Sequence, residues 1–502
     1  MRRTITAVLV SLVAVSAAPE ASAQEKHRSF DEFRKEVLSG YQNFRKTILD
    51  NYADFLNGEW HEYQSLNAER RDKTPKPTSV PSVGHPSRPG RLPSGSEAPA
   101  TPPKPLPVEK GEAKGKRPES ETAPSGPSRP TKSRGEQTFG FYGLPVTVPE
   151  IEFNIAARLS TPSDYAAQWK ALDREEVRSE VLPALQKKIR EMGLNDYLAY
   201  MLMEAYIGDK FPQADSSSKI SAIHYLLTHA GYDARVAMTG RGAPLLLLPF
   251  KQTIYARNYI MMPEGKYYVF APDGFDYGRL ATEGIKTCTL PKDADKGSKL
   301  DLVIGKLNIP VKAKSFELEY GPIHLKGEVN ENLMPILYRY PQMPIGDYAV
   351  SSPDPALRHE LARQIREQLQ GMEGDKAVEA LLGFTQSVFD YATDEENHGF
   401  EKPYFIEETL YYPKNDCEDR AIFYTTFLWN ALGREAQLIS FPGHEAATVR
   451  LDSDVEGTSY TYGGDRYYIS DPTFIGSHTG MVMPIYRNEK PKVDYTFSNS
   501  GN

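Results

Sequence analysis

The sequence predicts an α+β protein: a helix packed on an antiparallel sheet, a degenerate second copy of that unit, and a small β unit between the two. Three observations carry this reading. First, an apolar-patterned segment at 421–432 stops at Gly433 and is followed by three short strand-like runs, 437–440, 447–451 and 466–470. Asn415 or Asp416 stands where a helix N-cap belongs, and Gly433 stands just past the helix end. Second, the same order occurs earlier: a helical run at 219–227, the turn Gly231-Tyr232-Asp233-Ala234, a run at 245–248, and a Tyr-Tyr run at 266–271 closed by Pro272-Asp273. Without gaps, Gly231 falls under Gly433, Ala234 under Ala436 and Asp215 under Cys417, and no histidine takes the place of His444. Third, 300–304, 315–320 and 323–329 alternate polar and apolar residues like strands of a small antiparallel sheet, with Gly321-Pro322 as a turn.

The elements follow in order. Residues 1–23 read as a secretory signal, with Arg2 and Arg3 before an apolar run and Ala21-Ser22-Ala23 as a small-x-small cleavage pattern. The mature chain is therefore expected to be exported, to a bacterial periplasm or beyond. No later run reaches the roughly 18 apolar residues of a membrane span. Residues 24–71 form an amphipathic helical segment with apolar side chains at Phe30, Phe33, Val37, Tyr41, Phe44, Ile48, Tyr52 and Phe55. Such a stripe must be covered, so residues 30–56 bury it on their own chain or offer it to a helix partner.

Residues 72–135 hold 15 prolines and no Phe, Tyr or Trp, the composition of a disordered spacer. The degenerate unit spans 136–295 and carries helical runs at 173–192 and 194–207, with His224 and His229 as structural residues. The small β unit spans 296–350. The region 351–502 opens with Asp354-Pro355 before a helix at 356–370. A second helix at 375–391 follows, then a loop at 394–399 and an aromatic-rich approach at 400–412.

The chemistry concentrates in Asn415-Asp416-Cys417-Glu418-Asp419-Arg420, Gly443-His444-Glu445 and Asp471-Pro472-Thr473. A cysteine in the first turn of a helix feels the positive end of the macrodipole, which favours thiolate. Glu418 and Asp419 work against this unless they point away or pair with Arg420. His444 lies between two strand runs and Asp471 ends a third, so adjacent strands bring imidazole to thiol and carboxylate to imidazole.

These three motifs, in this order over residues 375–475, resemble the transglutaminase-like superfamily, whose core is papain-like. The resemblance implies Cys417 as nucleophile, His444 as general base and Asp471 as the carboxylate that orients it. Many members continue His-Ala-Trp, whereas His444 is followed here by Glu445-Ala446-Ala447. The expected activity is cleavage or exchange of an amide bond in a protein or peptide substrate through a thioester. Water as second nucleophile gives a peptidase or amidase, and a lysine amine gives a transglutaminase. The alternative is a catalytically inactive scaffold or binding protein of the cell envelope.

The net charge of −8 and the absence of a basic aromatic-interleaved stripe argue against nucleic-acid binding. No cofactor or metal is expected. Two cysteines in so long an exported chain rule out a disulfide framework. Cys288 reads as a strand residue, with a Cys288–Cys417 disulfide as the alternative.

Overall fold

The computed structural model describes residues 52–58, 60–63, 135–173, 177–288 and 297–498. The signal-like start, the stripe as far as residue 51 and the spacer up to residue 134 lie outside the described residues.

The described chain begins with a short helix α1 (Tyr52–Leu56) and strand β1 (His61–Tyr63). Tyr52 and Leu56 are buried, and Tyr52 stacks on Trp169 at 4.4 Å. Trp169 belongs to α2 (Pro162–Leu172), where Thr161 and Asp164 form a reciprocal capping box. The end of the apolar stripe is thus buried on its own chain. Between them β2 (Glu136–Phe141) and β3 (Leu144–Pro149) pair as a hairpin, with Tyr142 and Gly143 both at positive φ in the turn.

Helices α3 (Leu182–Met192) and α4 (Asp196–Lys210) lead to α5 (Ser216–Ala230). Asp215 caps α5 by accepting the Ser217 N–H, and Gly231 ends it in the left-handed region at φ 110°. Then come β4 (Arg235–Thr239), β5 (Pro244–Leu248), β6 (Tyr259–Met262), β7 (Gly265–Phe270) and β8 (Ile285–Thr287). They build an antiparallel sheet in the order β1-β8-β4-β5-β7-β6. Residues His61–Tyr63, placed by sequence in a helical segment, instead supply an edge strand to this sheet.

The central segment corrects one expectation. Strands β9 (Ala313–Tyr320) and β10 (Ile323–Asn330) pair across Gly321 as expected, but 300–304 is not a strand. Its backbone is satisfied by side chains instead: Asn195 donates to the Asp301 and Val303 carbonyls, and Gln252 and Ser351 accept from Leu302 and Ile304 N–H. The small β unit is a two-stranded hairpin. Gln364 and Gln368 hydrogen-bond both the N–H and the C=O of Lys326 and His324, which fastens β10 to the helix that carries them.

That helix is α9 (Pro355–Gln368), preceded by α6 (Arg279–Glu283), α7 (Met334–Tyr338) and α8 (Ile345–Val350). It is followed by α10 (Gly374–Val388), β11 (Asp390–Tyr391), α11 (Asp394–Asn397), α12 (Ile406–Tyr411), β12 (Lys414–Asn415) and α13 (Cys417–Leu432). Asp416 and Asp419 form the capping box of α13, and Gly433 closes it at φ 65°. Strands β13 (Ala436–Phe441), β14 (His444–Val449), β15 (Ser459–Tyr462), β16 (Asp465–Ile469) and β17 (Lys492–Phe497) complete an antiparallel sheet in the order β15-β16-β14-β13-β17.

Read from the opposite edge, this order is β17-β13-β14-β16-β15, which matches β8-β4-β5-β7-β6 of the first sheet strand for strand. Each sheet follows a helix that starts at an aspartate cap and ends at a left-handed glycine. The fold is mixed α+β with two such sheets. From Tyr52 onward the chain forms one compact unit.

Candidate functional site

Cys417 is the first residue of α13, held there by the Asp416/Asp419 capping box. It is 1 % exposed. Its thiol donates to Glu418 Oε2 at 3.2 Å, and the Glu445 N–H donates to its sulfur at 3.5 Å. His444 opens β14, a central strand buried along its whole length, just after the turn made by Gly443 at φ 74°. Its Nε2 meets Asp471 Oδ2 at 2.8 Å, while its buried Nδ1 has no hydrogen-bond partner. Tyr486 stacks on the imidazole with an interplanar angle of 4°, which holds the ring plane.

The Asp471-Pro472-Thr473 motif has a local explanation. Asp471 Oδ1 accepts the Thr473 and Phe474 N–H groups at 2.8 and 3.2 Å, an Asx-type turn that leaves Oδ2 for the imidazole. From α10, Gln386 Nε2 reaches the Asp471 and Phe474 carbonyls, both at 3.1 Å, and tethers the turn to the helix layer.

The structure thus joins His444 to Asp471 by a hydrogen bond and joins Cys417 to Glu418 rather than to His444. Cys417 and His444 line one cavity of about 200 Å³ with Glu418, Glu445, Lys492 and Asp494. Tyr255 from the first half, Met343 and Pro344 just ahead of α8, Ile345 at its start, and Pro403 complete the lining. Both cysteines are free thiols, and Cys288 is buried beyond β8.

Electrostatics overturn one expectation. Burial first, then the Glu418 and Asp416 carboxylates, push the Cys417 thiol well above its usual range; the Glu445 N–H acts the other way. The helix dipole is outweighed because the thiol is shielded from water and faces carboxylates. Arg420 does not neutralise them through a salt bridge. It donates to Asn415 Oδ1, to the Phe389 carbonyl and, at 3.5 Å, to the Gln386 carbonyl. Asp419 does point away from the thiol, accepting the Tyr404 N–H at 2.7 Å.

Behind Cys417 lies a carboxylate cluster. Asp394, Asp416 and Asp419 each bring an oxygen within 4.8 Å of the others, and so do Asp394, Glu401 and Glu418. Burial and mutual repulsion push Asp394 up to about 10, and burial pushes Asp419 up to about 7. Asp416 and Glu418 are raised for the same two reasons. Shared protons are one way to hold such a group together; an all-oxygen set is also the donor type that hard divalent cations take.

Sequence reasoning did not single out Gln386, Tyr486, Tyr255 or the cluster around Asp394. The acidic residues flanking Cys417 and the Glu445 that follows the histidine were the available signals. Gln386 and Tyr255 carry none, being set against the site only by the fold. No family model matches this chain, and neither does any curated protein or solved structure compared with it.

Proposed function

We propose that this protein is an exported cysteine enzyme of the transglutaminase-like type, acting on an amide bond of a protein or peptide. The observation that supports it most is the buried His444–Asp471 pair at 2.8 Å, with the other imidazole nitrogen unpartnered and both His444 and Cys417 lining one cavity. Nε2–H donated to Asp471 leaves Nδ1 as the basic nitrogen, so its lone pair is available for a thiol proton.

In this reading Nδ1 takes the Cys417 proton and the sulfur adds to the carbonyl carbon. The Cys417 N–H, one of the groups that a helix start leaves without an intrahelical acceptor, is the backbone candidate to hold the oxyanion. The C–N bond breaks, the amine leaves with the proton from His444, and a thioester remains. His444 then deprotonates water, which adds to the thioester; the C–S bond breaks, releasing the acid and restoring the thiol. An amine in place of water gives transfer rather than hydrolysis.

A second reading, an inactive scaffold, is favoured by the thiol's hydrogen bond to Glu418 and its raised pKa. Iodoacetamide labelling at Cys417, followed by mass spectrometry, separates the two. Labelling of the wild type that is lost in His444→Ala supports the enzyme; a thiol inert in both supports the scaffold.

A further inference from the structure

Glu445, next to the imidazole in β14, is a buried carboxyl whose Oε1 meets no hydrogen-bond donor among the described residues. It is 6 % exposed, lines the Cys417 cavity, and its buried Oε1 has no partner. The neighbouring donors are committed elsewhere. Strand register sets Glu445 opposite Ser440, and Ser440 opposite Lys492. Yet Ser440 Oγ donates to Asp494 Oδ2 at 2.5 Å, and Lys492 Nζ pairs with Asp494 Oδ1. Three carboxyl groups, Glu418, Glu445 and Asp494, therefore face the cavity against one ammonium. An unpaired buried carboxyl costs stability, so a fold that keeps one beside its nucleophile has a partner to receive. The cavity lining also includes Met343, Pro344, Ile345 and Pro403, apolar groups that suit an aliphatic stem. A cavity of about 200 Å³ admits one side chain rather than a folded segment.

We propose that this cavity is a subsite for a cationic side chain of the substrate, an alkylammonium or guanidinium whose charge is met by the Glu445 carboxylate and whose methylenes lie on the Met343–Ile345 wall. The inference rests on Cys417 being the reacting group of the proposed function. It names the substrate class that a family resemblance leaves open, because Glu445 stands where many superfamily members carry a small apolar residue.

The test compares Cys417 modification of the full chain by aminoethyl, sulfonatoethyl and methyl methanethiosulfonate, read by mass spectrometry at the Cys417 peptide. The wild type should prefer the cationic over the anionic reagent. Glu445→Gln should cut that preference about tenfold, the scale of one partly buried charge pair, and Glu445→Asp should retain most of it. A preference unchanged in Glu445→Gln overturns the subsite. The same three rates in His444→Ala report on the base alone, so the catalytic reading can fail while the charge preference stands. A readout free of thiol chemistry uses thermal melts. n-Butylammonium should raise the wild-type Tm more than n-butanol does, and the difference should vanish in Glu445→Gln. A difference that persists in the variant overturns the proposal.

Discussion

The two sheets of this protein are strung in the same order behind similarly capped helices, and the acids buried around them differ in their partners. In the first half the buried acid Asp233 is paired. Arg235 reaches it at 3.0 Å and the Tyr267 hydroxyl donates to it at 2.6 Å. Matched at their caps, α5 presents Ser216 where α13 presents Cys417, which corrects the ungapped alignment: Asp215 stands opposite Asp416, not Cys417; β5 begins with Pro244 and β14 with His444. Its buried histidine, His224, is pushed down to about 3 by burial and by Arg235, and its Nε2 lies 3.2 Å from the Tyr52 hydroxyl. In the second half Asp394, Asp416, Glu418, Asp419 and Glu445 are buried without a cation bonded to any of them among the described residues. One topology tolerates both inventories because apolar burial, not the polar groups, holds helix to sheet. A cluster of buried acids that rely on protons rather than on a cation lies beside Cys417 in the second half, and perturbed acids of that kind are a common mark of a functional site.

Four expected outcomes sharpen or break that contrast. The largest is Asp233→Ala, which strands the Arg235 guanidinium in the first half and should cost about 3–5 kcal/mol in a denaturant melt. Thiol labelling at Cys417 under native conditions should stay as in the wild type; if it collapses, the halves are not independent in function.

Next is Glu407, on α12 in the second half. Burial raises its pKa from the ordinary carboxyl value of 4.5 to about 7, although Oε1 accepts the Asp354 N–H at 2.9 Å. A raised folded-state pKa means the folded protein holds its proton longer than the unfolded chain. This contribution is fully present below about pH 4.5 and is lost as pH rises through about 7. The loss is on the order of 3 kcal/mol. Glu407→Gln, which keeps the acceptor, should remove that portion of the pH dependence of Tm between those limits. Identical profiles for variant and wild type would falsify the assignment.

Asp471→Asn retains an acceptor for the Asx turn but cannot orient the imidazole as the carboxylate does. Cys417 labelling should fall at least about 100-fold while the melt changes little. Equal labelling rates would mean that His444 is not positioned by Asp471 for any chemistry. The smallest effect belongs to Glu418→Gln. Removing the carboxylate that faces the sulfur should move the pH midpoint of thiol labelling downward and speed labelling several-fold near neutrality. A midpoint that stays or rises shows that burial alone sets the thiol.

Much of this was legible in the chain. Helices α5, α9 and α13 lie within a few residues of the runs that predict them, because their caps are written locally as Asp215, Asp354, Asp416, Gly231 and Gly433. The repeated element order was legible for the same reason. Strands β6, β15 and β17 were not, since short runs such as Tyr259–Met262 and Ser459–Tyr462 become strands only once a neighbour pairs with them. The stretch at 300–304 shows the converse: its alternation is real, but Asn195, Gln252 and Ser351 satisfy its backbone first.

The local sequence therefore determined where several helices begin and end, which residues are of thiol, imidazole and carboxylate type, and that one element order occurs twice. Those are properties of capping, turn geometry and residue type, which act over a few neighbours. Only the tertiary structure decided the thiol's surroundings. It placed Glu418 rather than His444 against the sulfur, gathered Asp394 from the start of α11 and Glu401 from the segment after it, brought Tyr255 and Met343 into the cavity lining, and left Glu445 Oε1 without a hydrogen-bond donor among the described residues. Desolvation and Coulomb energy depend on what the whole chain packs around a group, and no stretch of neighbours contains that information.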